Sequence, residues 1–371
     1  MMDIFDEYDY AYVEFYVGMA KMVAYWHIKA LGFHLTGYRG PETGCEEELS
    51  YLLEKNGIRL VITSAAKPSC FDVLSFVDRH GNGVKRIAYQ VSDVEQAYHT
   101  AIARGGIPVL APRQVTDENG SIEEAAISLL DRKEIKFFNN TGFGGLFRPH
   151  YRSCEIQGYE PDFENGFEAI DHIAYGLQKN EMDYWYSYYE RIFGGRLLQQ
   201  LQPGDMVTQY SGMLLKLLGS KNGKINNVFV EPDNRERPSQ VQEYVNAYYG
   251  SGIQHMAFAT SDIFRSIRAM AKGGIDFVQY PKAYYTALRE KGDIPASLID
   301  ELESCNVLCD AQGGAYLFQT FTKPFGDRPT FFYELIQRTN GYVGFALNNI
   351  TQLFQAVERE QERRSGSGEA S

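Results

Sequence analysis

Alternation of apolar and polar positions, interrupted by helical stretches, recurs four times along the chain. The segments YVEFYVGMAK (12–21), VKRIAYQVSD (84–93), IDHIAYGLQK (170–179) and IQHMAFATSD (253–262) each read as a strand running into a polar stretch. Period-two alternation places successive side chains on opposite faces of a sheet. A helical pattern follows, as in VEQAYHTAIARGG (94–106) and IFRSIRAMAKGG (263–274). Each closes on glycine, a common helix terminator. Short strands with turn signals come next, for example ELSYLLEKNGIRLVITS (48–64) and GGAYLFQTFTKP (313–324). The repeating unit is β-α-β-β-β in four copies, and the fold class is α+β. Such modules pair, and each pair wraps a curved sheet around a cavity. The Gly-, Pro- and polar-rich stretch 141–167 separates the two pairs. The expected division is an N-terminal domain at 1–150, a linker at 151–167, a C-terminal domain at 168–360 and a flexible tail at 361–371.

Three residues in matching strand contexts carry the candidate chemistry. His172 shares its strand face with Ala174 and Gly176, and His255 shares its face with Ala257 and Ala259. Small neighbours are expected to leave room for a metal and a ligand. Glu334, in TFFYELIQR (330–338), shares a face with Phe332 and Ile336. A carboxylate there is costly to bury unless paired or metal-bound. Singly, these residues read as two core histidines and a salt-bridged glutamate. Together they form the two-imidazole, one-carboxylate triad of non-haem iron(II) oxygenases, with the remaining coordination positions open. The expected cofactor is Fe2+. Aligning the repeats puts Tyr12 where His172 stands and Arg86 where His255 stands. The N-terminal half is therefore expected to lack metal and to act as scaffold or oligomer surface.

Composition narrows the field only a little. The chain has 371 residues, enough for two domains, and 44% hydrophobic with 23% charged residues marks a globular protein. A net charge of −12 argues against nucleic acid as a partner. Five cysteines without a CxxC pair suggest reduced thiols, and the acidic N-terminus lacks the pattern of a secretory signal. A cytoplasmic protein is expected, with no membrane partner, since no apolar run is long enough to span a bilayer. The 26 Tyr and 23 Phe are explained by packing and strand propensity and do not identify a substrate. Near the C-terminus, Ile350, Leu353, Phe354 and Val357 have helical spacing in 346–360, which predicts a C-terminal lid helix.

From about residue 10 to residue 360 the chain resembles the family of 4-hydroxyphenylpyruvate dioxygenase and 4-hydroxymandelate synthase, on the vicinal-oxygen-chelate fold. The most specific motif is FQTFTKPFGDRPTFFYELIQR (318–338), supported by GYRGPETG (37–44), DHIAYGL, RPSQVQEYV (237–245) and GSGIQHMAF (250–258). The resemblance implies a small-molecule 2-oxo acid and dioxygen as reactants, with no separate 2-oxoglutarate. The substrate is decarboxylated and the same molecule is then hydroxylated. A homo-oligomer, dimer or tetramer, is also implied. Residue by residue, Gln242, Gln254 and Gln319 match glutamines near the substrate or metal, and Phe332 matches the residue beside the metal-binding glutamate. Phe321 and Phe345 match pocket aromatics, Leu308 and Leu353 apolar wall positions, and Asn349 an asparagine on the covering helix.

Departures from the homogentisate-forming members point to a different outcome. Their GFGKGNF segment reads GFALNNI (344–350), so Ile350 replaces a phenylalanine. Their Pro-x-Asn-Glu-Pro wall reads VFVEP (228–232), with Val228 and Val230 in place of proline and asparagine. Leu215 stands where a serine is usual. Mandelate-forming members resemble this chain at 350 and in the wall. Benzylic hydroxylation is therefore expected, in a pocket suited to a less polar side chain. A homogentisate-forming enzyme is the main alternative. A ring-cleaving extradiol dioxygenase and a metal-free binding protein of the same fold are more distant ones.

Overall fold

The computed structural model describes residues 3–202, 204–205, 211–235, 238–342, 344, 349 and 352. The first module runs β1 (Asp9–Tyr16), α1 (Ala20–Leu31), β2 (His34–Arg39), β3 (Glu48–Lys55) and β4 (Ile58–Ala65). Helix α2 (Phe71–His80) leads to the second: β5 (Gly83–Gln90), α3 (Val94–Ala103), β6 (Pro108–Asp117), β7 (Gly120–Leu129) and β8 (Lys133–Asn139). Strand β9 (Arg152–Ser153) follows. The third module is β10 (Phe167–Gly176), α4 (Met182–Phe193), β11 (Arg196–Leu201), β12 (Ser211–Gly219) and β13 (Asn226–Asn234). Helix α5 (Gln240–Tyr248) leads to the fourth, β14 (Gly252–Thr260) and α6 (Ile263–Lys272). Here the chain departs from the simple repeat. Two helices, α7 (Lys282–Lys291) and α8 (Ala296–Cys305), precede β15 (Leu308–Gln312), β16 (Ala315–Phe321) and β17 (Phe332–Arg338). Pro281 and Pro295 are their N-caps.

The strands form two sheets of like topology, β6-β7-β8-β5-β1-β4-β3-β2-β9 and β11-β12-β13-β10-β14-β17-β16-β15. At the centre of each, the first strands of its two modules pair antiparallel, and each pairs parallel with the last strand of its own module. The expected linker is built into the fold at both ends. Arg152–Ser153 pairs with β2, and Phe167 already belongs to β10. The expected tail at 361–371, and the lid helix apart from Asn349 and Gln352, lie outside the described residues.

Alternation along the central strands decides what enters each sheet's concave face. Phe15, Ile87, Tyr89, Ile173, Tyr175, Met256, Phe258, Tyr333 and Leu335 point outward into one large core shared by both halves. Within it Tyr89 Oη lies 2.8 Å from Tyr189 Oη, Tyr175 donates to Asn227 at 2.8 Å, and His27 Nε2 meets Tyr333 Oη at 2.7 Å. Every one of these buried polar groups is partnered, as burial demands. The remaining residues of the same strands face inward, and the two interiors differ. The C-terminal interior carries an apolar cluster of Ala174, Leu201, Met213, Leu215, Leu217, Val228, Val230 and Val241.

The N-terminal interior is filled. Tyr12 packs edge-on against Phe138 and Phe147, at ring separations of 5.4 and 5.2 Å. By strand register, Tyr12, Arg86 and Lys136 occupy the places held in the other half by His172, His255 and Glu334. Glu124, wholly buried, accepts from Arg113 at 2.6 Å, Lys136 at 2.9 Å and Arg148 at 3.0 Å. Glu14 pairs with Arg86 at 3.0 Å and accepts from Thr63 at 2.8 Å. Burial alone would raise the Glu124 carboxyl, but the charges of Arg148 and Lys136 outweigh it and hold it well below its ordinary range. Burial likewise opposes ionisation of Glu14, yet Arg86 and Lys136 bring its pKa down to about 2.

Glu124→Leu leaves three cations without their carboxylate and should cost about 3–5 kcal/mol, the usual penalty for breaking a buried ion network. Urea unfolding should show it, and a loss below about 1 kcal/mol would contradict the reading. A carboxyl depressed in the fold contributes stability that is present above its unfolded value and lost as the pH falls toward its folded one. Stability should therefore drop from pH 4.5 down toward about 2, with Glu14→Gln flattening that drop.

Candidate metal centre

Three adjacent strands set the centre. On β14, Ala257 pairs with His172 of β10 on one side and with Glu334 of β17 on the other. His255, two residues along β14, pairs with Ala174 and Phe332. Since neighbouring strands lie about 4.8 Å apart, His172 and Glu334 reach toward each other across the Ala257 methyl. His172 Nε2 lies 3.1 Å and His255 Nε2 3.5 Å from Glu334 Oε2. One ligand atom from each of the three residues falls within 4.8 Å of the others, and all three side chains are buried. Among the described residues no other group of three or more such side chains is gathered in this way.

Each histidine is preceded by an unpaired residue in its strand. Ile170 pairs with Phe258 and His172 with Ala257, so Asp171 is the extra residue of a β-bulge. Ala174 pairs with His255 and Tyr175 with Ile253, so Gln254 is another. A bulge suspends the alternation of faces and re-aims a side chain. Adjacent side chains can then meet: His172 Nδ1 lies 2.8 Å from Asp171 Oδ1, and His255 Nδ1 lies 3.3 Å from Gln254 Oε1. With both Nδ1 atoms so engaged, both Nε2 atoms face Glu334.

The charge state fits a cation site. Burial pulls His172 down, but the Glu334 charge and the Asp171 hydrogen bond override it and carry its pKa up to about 9. Burial lowers His255. Burial also opposes the Glu334 anion, yet His172 and the hydrogen bonds from both histidines hold its carboxyl below the ordinary value. A buried carboxylate is kept ionised here by whatever cation faces it. Two convergent imidazole nitrogens and a carboxylate oxygen are a donor set that suits a divalent transition metal.

The cavity beside the three residues is lined by Met213, Leu215, Leu217, Val228 and Val230 on one side. Gln240, Gln254, Gln319, Phe321 and Phe332 complete it. Phe332 stacks on the His255 ring at 4.9 Å and 22°, and Phe321 meets that ring edge-on at 6.1 Å. Asn349 is buried and donates to Gln319 Oε1 at 3.4 Å. Leu308 pairs with Gln319 across β15 and β16 but is buried in the shared core. Phe345, Ile350 and Leu353 lie outside the described residues.

Two expectations are corrected. Gln242 is not at the cavity: its amide bonds to Asn234 at 2.7 Å and Asn246 at 2.9 Å. Gln240 lines the cavity instead. Ser239 caps α5, and residues two apart on a helix face different ways. The space beside Gly176 is not left for a ligand either. A Cβ there would come within 2.5 Å of the Tyr244 ring, so α5 fills it. Sequence reading also missed Met213 and Leu217, although period-two alternation with Leu215 was the available signal.

Comparison with known proteins agrees with this geometry. Residues 169–291 match the Glyoxalase/Bleomycin resistance protein/Dioxygenase superfamily. The 4-hydroxyphenylpyruvate dioxygenase of Yarrowia lipolytica is 32% identical over 96% of this chain and 92% of its own length. That of Dictyostelium discoideum is 33% identical over 95% and 98%. The chain belongs to the 4-hydroxyphenylpyruvate dioxygenase family. A solved variant of 4-hydroxymandelate synthase from Streptomyces coelicolor superimposes with a TM-score of 0.84 at 29% identity, covering 95% of this chain and 98% of that one. As a member of this family the protein is an enzyme of the dioxygenase type, on the vicinal-oxygen-chelate fold. Among the described residues no helix is long and apolar enough to cross a membrane.

Ala257 gives a direct test of the geometry. Ala257→Leu places a branched side chain where His172 and Glu334 converge. Metal uptake should fall at least about 100-fold while the fold survives, because overpacking typically costs only about 1–3 kcal/mol. Isothermal titration of metal-free protein with cobalt(II) reads the first, circular dichroism the second. Unchanged uptake would contradict the placement.

Proposed function

We propose that the protein is an iron(II)-dependent dioxygenase that decarboxylates an arylpyruvate and hydroxylates the same molecule at the benzylic carbon, giving a mandelate. The reaction balances as arylpyruvate plus O2 to mandelate plus CO2. His172, His255 and Glu334 would hold Fe2+, which when bound supplies adjacent open positions and the redox chemistry that dioxygen requires. Gln254, beside His255, and Gln240 and Gln319 offer amide donors in the cavity, suited to the oxygens of a 2-oxo acid. Phe321 and Phe332, packed against the His255 ring, exclude water beside it, which strengthens the polar contacts there.

The benzylic outcome rests on one observation. The wall of Met213, Leu215, Leu217, Val228 and Val230 has no hydrogen-bonding side chain with which to pin an aromatic ring through a substituent. A ring held by apolar contact alone is free to turn, and the benzylic C–H can then approach the reacting centre. Displacements of about 1 Å decide such outcomes. The same wall favours an unsubstituted ring, because a buried phenol without a partner loses about 1–3 kcal/mol. The second reading, homogentisate formation, is favoured by the name that the curated relatives carry.

Mass spectrometry of products after aerobic incubation with iron(II) and a panel of arylpyruvates separates the two. Mandelate from phenylpyruvate, or 4-hydroxymandelate from 4-hydroxyphenylpyruvate, is the expected main product. With 18O2, label should enter both the new carboxylate and the new hydroxyl. Homogentisate as the sole product of 4-hydroxyphenylpyruvate would overturn the benzylic assignment. Val230→Asn should raise kcat/KM for 4-hydroxyphenylpyruvate relative to phenylpyruvate by about fivefold, the worth of one hydrogen bond. No change in that ratio would show that the wall does not face the ring.

A further inference from the structure

Asp171 is a polar residue of the C-terminal half whose surroundings are explained neither by the core nor by the cavity. It sits in the bulge of β10, and its carboxylate takes two kinds of partner. His172 Nδ1 lies 2.8 Å from Oδ1, and Arg338, at the end of β17, forms an ion pair with both carboxylate oxygens. The backbone carbonyl of Asp171 accepts from Asn226 Nδ2 at 3.0 Å, which fixes the bulge from the β13 side. The side chain is largely buried, with 11% of it exposed. A strand that alternated regularly would send Asp171 to the opposite face from His172. The bulge is what brings the two together.

The other half of the molecule supplies an internal control. The same irregularity occurs in β1, where Tyr10 pairs with Tyr89 and Tyr12 with Ala88, leaving Ala11 as the extra residue. The bulge is therefore a property of the fold and is present with or without a candidate metal ligand after it. The carboxylate is not. Where the following residue is Tyr12, the bulge holds alanine; where it is His172, it holds an aspartate tied to an arginine. His255 has a neutral counterpart, Gln254, at 3.3 Å, so the shorter and charged contact belongs to His172 alone among the two histidines.

We infer that Asp171, anchored by Arg338, is a positioning residue that holds the His172 ring in the tautomer and orientation that presents Nε2 to the metal. The inference rests on the metal-centre reading above. A carboxylate accepting from Nδ1–H leaves Nε2 as the lone-pair donor and makes it a stronger one. Arg338 in turn keeps the carboxylate from swinging away, by gripping it from the strand that also carries Glu334. One strand thus contributes a ligand and the anchor of another ligand's support.

The test is anaerobic titration of metal-free protein with iron(II), with cobalt(II) absorption as a second probe of ligand geometry. Loss of such a support typically weakens metal binding about 10–100-fold. Asp171→Ala, which removes both the acceptor and the charge, should lie at the upper end. Asp171→Asn, which can still accept from Nδ1–H, should lie near the lower end, and Arg338→Gln should fall with it. The cobalt(II) spectrum of Asp171→Ala should change, while the melting temperature of the metal-free variants should stay within a few degrees of wild type. Wild-type affinity and an unchanged cobalt spectrum in folded Asp171→Ala would overturn the inference while leaving the metal centre intact. If Asp171→Ala does not fold, wild-type affinity in Asp171→Asn and Arg338→Gln together overturns it. A wild-type protein that takes up neither metal would instead sink the metal centre, and this inference with it.

Discussion

Two imidazole nitrogens aimed at one buried carboxylate oxygen are the constraint around which the C-terminal half is organised. A glutamate buried among phenylalanine and isoleucine is unfavourable unless positive charge faces it. Here His172 faces it across Ala257 from β10, and His255 faces it from β14 itself. That arrangement needs a small residue between the outer ligands, a parallel β14–β17 pair to set Glu334 in register, and an antiparallel β10–β14 pair to set His172. The sheet topology delivers both pairings, because the first strands of two modules meet at the centre and each draws in its own last strand, and the sequence supplies Ala257. Pairing two modules is thus what brings residues 172, 255 and 334 together on adjacent strands.

The two halves show what the same frame does with other residues. At the three ligand positions the N-terminal half has tyrosine, arginine and lysine, and around them two buried carboxylates held by cations. Ion pairs and aromatic rings fill that interior, while the C-terminal interior keeps an apolar wall and a cavity. The halves are joined through their outward faces, where aromatic side chains make one continuous core and the hydroxyls of Tyr89, Tyr175 and Tyr189 meet within it. The division of labour follows from which face each residue was placed on.

Much of this was legible in the residues because strands encode it simply. Alternation put His172 and His255 on faces with small neighbours and Glu334 among large apolar ones, and the fourfold recurrence of one pattern implied the paired-module fold. Val228, Val230, Leu215, Phe321, Gln254 and Gln319 were found through motif resemblance and do line the cavity. What escaped depends on three-dimensional offsets that one-dimensional spacing does not carry. The bulge at Asp171 is a matter of register between strands, which alternation along one strand does not carry. The choice between Gln240 and Gln242 depends on where α5 starts, a matter of one cap. The helices α7 and α8 are inserted between α6 and the three expected strands, and their proline N-caps are plain only once the boundary is known. The role of Gly176 is set by Tyr244, which is distant in sequence.

The central claim is that His172, His255 and Glu334 together form the protein's iron site. Iron K-edge X-ray absorption of protein loaded anaerobically with one equivalent of iron(II) tests it most directly. The account predicts two imidazoles and otherwise only oxygen neighbours around the iron, with one imidazole lost in His172→Ala and one in His255→Ala. A sulfur neighbour, or a spectrum unchanged by both substitutions, would contradict it.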